Sequence, residues 1–153
     1  MGRIAVFLSS GLGLGFLPKA PGTFGTLWGV LLFYLGRHLS WQIFAAATVV
    51  AILLAILISH FAEKSLGTHD SSHIVVDEIV GYLVTVVGFS FDWKVAIWAF
   101  FVFRFFDIAK PFPVRWMDQK IPGGAGVVLD DVGAGIYANL TLRLGFFLWY
   151  YFN

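Results

Sequence analysis

Two pairs of adjacent carboxylates stand inside otherwise apolar stretches of this sequence. Asp77 and Glu78 interrupt Ile74-Val75-Val76-Asp77-Glu78-Ile79-Val80-Gly81, and Asp130 and Asp131 follow the glycine-rich run Gly123-Gly124-Ala125-Gly126. Clustered carboxylate oxygens are hard ligands of the kind Mg²⁺ takes. A run rich in glycine exposes backbone N–H groups that can cradle a phosphate, so Gly123 to Gly126 reads as a loop of that type, and the plainer reading of Gly123 to Gly135 is a flexible loop, an aspartate-rich helix start and small residues for helix packing. A plainer account of Asp77 and Glu78 is compensation of a helix dipole at its N-terminus. On a helix the two side chains point about 100° apart, so both reach one interior only at its edge. A third element is Phe103-Arg104-Phe105-Phe106-Asp107-Ile108-Ala109-Lys110-Pro111. Arg104, Asp107 and Lys110 recur at i, i+3 and i+6, one stripe of a helix, and Pro111 disfavours helix through Lys110. That stripe serves equally as an ion-pair ladder whose long cations snorkel to a membrane surface. The fourth element, Gly11 to Gly25 (GLGLGFLPKAPGTFG), contributes one cation, Lys19, and one hydroxyl, Thr23. Its GxGxG piece lacks the preceding strand of a dinucleotide fingerprint. His69 and His73, with Asp70 between them, have a spacing compatible with zinc but read better as loop histidines.

These residues need a scaffold, and the composition restricts it. The chain has 153 residues, enough for one domain, 1–153. Hydrophobic residues make up 59% and charged residues 12%, with 17 Phe and 6 Trp, and mean hydropathy is +0.84. Soluble domains carry about 25% charge, and a small one cannot hide this much apolar surface. The expected fold is an all-α, polytopic membrane bundle of four to five membrane-embedded helices, with an N-terminal interfacial or re-entrant segment. The candidate spans are Phe24–Leu35, Trp41–Ser59, Ile74–Phe91, Val95–Ile108 and Val132–Phe152, the last ending in an aromatic belt. Gly25 and Gly29 have the spacing that lets helices approach closely. Residues 1–16 are expected to stay in the mature protein, because no small-residue cleavage site follows them. A net charge of +1 gives no field for nucleic acid, and the absence of cysteine removes thiolate metal sites and cysteine nucleophiles.

Charge asymmetry orients the bundle. Loops on one side hold Arg3, Lys19, Lys64, Lys110, Arg115 and Lys120, whereas the opposite loops hold Arg37 and Lys94. The first set is therefore expected in the cytoplasm. Of the nine acids, only Asp92 falls at the other end. Carboxylates in apolar segments are expensive, and such a concentration points to chemistry at one membrane face.

Taken together, Gly11 to Gly25, Gly67 to Asp70 (GTHD), Val75 to Gly81 (VVDEIVG), Phe103 to Pro113 (FRFFDIAKPFP) and Gly123 to Gly135 (GGAGVVLDDVGAG) resemble the phosphatidylglycerophosphatase A family of bacterial membrane lipid phosphatases. The pieces run in the family's order and cover nearly the whole chain. The resemblance implies Mg²⁺-dependent hydrolysis of phosphatidylglycerophosphate to phosphatidylglycerol and phosphate, by a multi-pass protein of the bacterial inner membrane whose site faces the cytoplasm. The partners it implies are that lipid substrate and the surrounding membrane lipids. A phosphomonoesterase must orient a nucleophile and stabilise charge on the phosphoryl oxygens. Asp77, Asp107 and Asp131 are the expected metal ligands. Glu78, Asp130 and Asp70 are the candidate catalytic carboxylates, with Glu78 or Asp130 as base. Lys19, Thr23, Arg104 and Lys110 are expected to bind the phosphate. Glu63 is left outside this set. One alternative is a phospholipid-synthesising phosphotransferase, although its DGxxAR signature is absent. The other is a small ion-coupled transporter, which calls for polar residues deep in the bundle.

Overall fold

The computed structural model describes residues 2–67 and 71–152. They form seven α-helices with no strand among them: α1 (Gly2–Ser9), α2 (Pro21–Leu35), α3 (Trp41–Leu66), α4 (Val76–Val86), α5 (Trp93–Ala109), α6 (Val114–Lys120) and α7 (Gly124–Phe152). The all-α expectation holds. Helix starts and stops follow local chemistry. The Ser40 hydroxyl accepts from Ile43 N at the start of α3, and the Asp92 carboxylate accepts from Lys94 N, 2.7 Å away, at the start of α5. Helix α3 stops at Gly67, whose φ of 68° is the left-handed conformation glycine adopts readily. Helix α5 stops at Lys110, directly before Pro111.

Among the described residues one helix, α3, is long and apolar enough to cross a membrane by length and composition. Its 26 residues rise about 39 Å, against a hydrocarbon core of about 30 Å. The expected span Ile74–Phe91 is corrected: α4 holds 11 residues and rises only about 16 Å, because the chain breaks at Val87–Gly88 and runs on to the Asp92 cap. A helix ending that early leaves carbonyls without partners, and α7 supplies them. Asn139 Nδ2 donates to the carbonyls of Thr85 (2.8 Å) and Val87 (2.9 Å), and Arg143 Nη2 donates to Val87 O (2.9 Å).

Helix α4 is the hub of the fold, packed against α2, α3, α5 and α7. Its approach to α7 is set by glycine. A methyl at Gly81 would stand 2.7 Å from the Phe103 ring and 2.8 Å from the Asp131 carbonyl, and one at Gly135 would collide with the Gly81 carbonyl. Gly25 and Gly29 face Val75 and Tyr82, as their spacing led us to expect. The main core gathers Phe33, Tyr82, Val86, Ala99, Phe103, Ala134 and Ala138, all buried. Outside it, large apolar side chains stay uncovered along α3, α5 and α7, including Leu53, Leu54, Leu57, Trp98, Phe101, Phe105, Leu140 and Leu144. Exposed apolar surface on that scale marks a membrane or interaction face. The N-terminal segment forms α1, a left-handed turn through Gly11 and Gly13, and a short 3₁₀ turn over Leu14–Phe16. It packs against α3 and the start of α4, where Ser9 O accepts from Val75 N.

Candidate active site

Three helices deliver charged side chains to one cavity of about 290 Å³, lined by Asp77, Glu78, Arg104, Asp107, Ile108, Lys110, Val127, Asp130 and Asp131. Asp77 and Glu78 come from the first turn of α4, Arg104 and Asp107 from the last two turns of α5, and Asp130 and Asp131 from the second turn of α7. Asp77 is buried and Glu78 partly so, each reaching the cavity from one edge of α4. Among the described residues the cavity holds five carboxylates against two cations, a formal charge of −3. Like charges this close repel strongly in a medium of low dielectric constant.

Candidate ligand oxygens of Asp77, Glu78 and Asp131 all lie within 4.8 Å of one another. Glu78 Oε2 and Asp130 Oδ1 are buried without a hydrogen-bond partner among the described residues. A carboxylate oxygen left so costs free energy unless something else satisfies it. A hard divalent cation fits this donor set, since it takes oxygen ligands and offsets the charge excess. The tightest oxygen group thus contains Glu78, where Asp107 was the expected third ligand. Asp107 instead accepts from Arg104 Nη1 at 2.6 Å, and Glu78 Oε1 is 3.7 Å from the same nitrogen.

Lys110 leaves the helical stripe. In the left-handed conformation at the end of α5, it donates to Asp130 Oδ2 at 2.6 Å and to Asp118 Oδ1 at 2.8 Å. Burial alone would lower the Lys110 pKa, but the two carboxylates together outweigh it and raise the value above that of an ordinary lysine. Lys110 lines the cavity with its charge already matched, which differs from the expected free phosphate ligand. Arg104 is the other cation there.

Several expected residues fall elsewhere. Lys19 is exposed, Thr23 sits in the first turn of α2 with its N–H bonded to Ala20 O, and neither lines the cavity. Their segment meets the site through Gly22, where a methyl would collide with Glu78 Oε1 and stand 2.9 Å from Arg104 Nη1. Asp70 and His69 lie outside the described residues. His73 Nδ1 is 3.0 Å from Gly15 O and its ring stacks on Phe16 at 4.7 Å, a packing role. The glycine-rich stretch is not a phosphate-cradling loop. From Gly124 onward it is helix, and the N–H groups of Gly126 and Val127 bond to Gly123 O. A side chain at Gly124 would strike the α3 backbone at Ile56 and His60. Those small residues are there for close packing. Asp118 was missed: it stands on the short helix α6, and no periodicity in the sequence linked it to Lys110. Gly22 was also missed, since a glycine at a helix start carries no chemical signal of its own.

Residues 7–146 match the family model described as Phosphatidylglycerophosphatase A. The chain is 35% identical over 130 residues to the phosphatidylglycerophosphatase A of Escherichia coli K12, covering 84% of this chain and 76% of that one. It is 41% identical over 137 residues to the phosphatidylglycerophosphatase A of Haemophilus influenzae, covering 88% and 84%. A Bacteroides thetaiotaomicron protein provisionally named a phosphatidylinositol-3-phosphatase is 38% identical over 151 residues, covering 92% of each. No solved structure matches. Because the matched stretch contains every residue that lines the acidic cavity, site and similarity point the same way, and the chain belongs to the phosphatidylglycerophosphatase A family.

Proposed function

We propose that this chain hydrolyses the phosphate monoester of phosphatidylglycerophosphate, giving phosphatidylglycerol and inorganic phosphate, and that it requires Mg²⁺. The observation that carries this reading is the convergence of Asp77, Glu78 and Asp131 oxygens within 4.8 Å beside Arg104, in a member of this family. Asp77, Glu78 and Asp131 would hold the ion. When bound, Mg²⁺ offsets charge on the phosphoryl oxygens and makes coordinated water more acidic. A phosphomonoester brings about −1.5 to −2 of charge, which a cavity at −3 would otherwise repel.

The chain's own groups divide the remaining work. Arg104 offers a fork of donors to the phosphoryl oxygens in exchange for its contact with Asp107. Lys110 and Asp118 fix Asp130 through its Oδ2, leaving Oδ1 to accept a proton from the attacking water. That water's oxygen bonds to phosphorus, the bond from phosphorus to the glycerol oxygen breaks, and the leaving oxygen takes up the proton that Asp130 removed from the water. Asp130 therefore serves as base better than Glu78, whose oxygens are drawn into the metal group.

The membrane reading is multi-pass, in the bacterial inner membrane with the cavity toward the cytoplasm. Supporting it are the apolar α3, the uncovered apolar faces of α5 and α7, and the cationic loops beside the cavity. Helix α7, at 29 residues, rises about 43 Å, so its first two turns with Asp130 and Asp131 project beyond a core of about 30 Å. The acyl chains would stay in the bilayer while the headgroup enters past Ile108.

The test is phosphate release from phosphatidylglycerophosphate by the purified chain, with Mg²⁺ and with EDTA. Activity that vanishes in EDTA and returns with Mg²⁺ supports the reading, whereas EDTA-resistant turnover removes the metal assignment. A parallel arm with phosphatidylinositol 3-phosphate tests the substrate suggested by the Bacteroides relative's name. Faster turnover there would shift the substrate assignment.

A further inference from the structure

Gly145 stands in the last third of α7, and no described residue crowds the place its side chain would take. Glycine is the poorest helix former after proline. The glycines of the α4–α7 contact are needed because a side chain would collide. At Gly145 a methyl would meet no atom within 4 Å, and unlike Gly13 and Gly67, which share that openness, Gly145 has no positive φ. The space it leaves is the floor of a cavity of about 530 Å³ between α5 and α7, at the end of the bundle away from the acidic site. Lys94, Trp98 and Val102 form one wall, an i, i+4, i+8 stripe of α5. Thr141, Gly145 and Trp149 form the other, the same stripe on α7. The stripe runs about 12 Å. The Lys94 ammonium makes no ion pair or hydrogen bond with any described residue.

We infer that this groove holds one anionic phospholipid, an acyl chain lying over Gly145 and the headgroup phosphate at Lys94. The unmatched cation at one end of an apolar slot selects the occupant: a chain with a negative group at its tip. The size suits a discrete small-molecule site. Lysine side chains reach up to headgroup level and indole rings settle at the same interface, which sets the Lys94 charge where a lipid phosphate lies. The lipid would belong to the leaflet opposite the catalytic cavity. The inference rests on the bilayer reading alone and not on the phosphatase chemistry.

The experiment is native mass spectrometry of the full chain, released from micelles containing equal phosphatidylglycerol and phosphatidylcholine of matched acyl chains. The expected wild-type result is one retained lipid with about fivefold preference for phosphatidylglycerol, the scale of one lysine acting on an anionic headgroup. Lys94→Gln should bring the preference to about unity with a lipid still retained. Gly145→Leu fills the slot and should cut retention of both lipids about tenfold. Phosphatidylglycerol in the acidic cavity would be indifferent to both changes, so full retention in both variants overturns the proposal. A wild-type dimer that Gly145→Leu dissociates would also overturn it, by making a second copy the occupant. If Gly145→Leu fails to fold, Gly145→Ala, whose methyl meets no described atom, should show an intermediate loss. Release of the chain into the aqueous phase by alkaline washing of membranes would sink the bilayer reading itself. A membrane-retained chain without lipid preference would sink only the groove.

Discussion

Lys110→Met separates two accounts of the cation nearest Asp130. In the structure its ammonium is shared by Asp130 at 2.6 Å and Asp118 at 2.8 Å. Removing it strands two carboxylates beside an already acidic cavity. Breaking a fully buried pair costs about 3–5 kcal/mol. Here the Lys110 and Asp118 side chains are 27% and 28% exposed and only Asp130, at 6%, is deeply covered, so solvent screens part of that cost. About 2 kcal/mol remains, which for a chain of this length lowers Tm by about 4–8 °C. Adding Asp130→Asn to Lys110→Met should recover part of the loss, because contacting residues are not additive. The kinetic signature is sharper. A lysine that fixes the base should lower kcat about tenfold with KM little changed, and Lys110→Arg should restore part of it. A lysine that grips phosphate equally in ground and transition states should raise KM and leave kcat alone. Thermal melts in detergent with steady-state phosphate release decide between them. An unchanged Tm with a purely KM effect would refute the positioning role and return Lys110 to the phosphate.

Asp77→Asn should lower phosphate release about 10²-fold or more while circular dichroism stays native, since even groups behind metal ligands are worth 10–100-fold; turnover near wild type would remove Asp77 from the ion. Gly81→Ala should destabilise by about 1–3 kcal/mol by wedging α4 away from Phe103 and the Asp131 carbonyl, despite alanine's better helix propensity. If Mg²⁺ binds as proposed, the same variant should need more of it for half-maximal rate, because Asp77 and Asp131 part together; an unchanged melt would contradict the α4–α7 contact. Asn139→Ala should cost about 1–3 kcal/mol by leaving the Thr85 and Val87 carbonyls short of donors. Hydrogen exchange should then accelerate in the last turn of α4, and protection equal to wild type would show that the carbonyls find other partners.

Much of this protein was legible along the chain. Composition and the long apolar run at Trp41 called for helices, and α3 is long and apolar enough to cross a membrane, where backbone polar groups must bond within their own segment. Pro111 dictated where α5 stops. The carboxylate pairs marked residues that come to line the acidic cavity, since charge in an apolar run is retained only at a cost. What the linear order did not contain was distance. Helical periodicity relates residues within one segment, so it placed Arg104, Asp107 and Lys110 on one stripe but not Lys110 against Asp118 and Asp130. It grouped Asp107 with Asp77 and Asp131, whereas the oxygens that lie within 4.8 Å of one another are those of Asp77, Glu78 and Asp131, a nearness that depends on how α4 and α7 meet at Gly81 and Gly135. Glycine was the most ambiguous letter. Gly123 to Gly135 suits a loop or a tightly packed helix equally well, and only the nearness of α3 and α4 decided for the helix, because a neighbouring backbone where Cβ would stand is a tertiary fact.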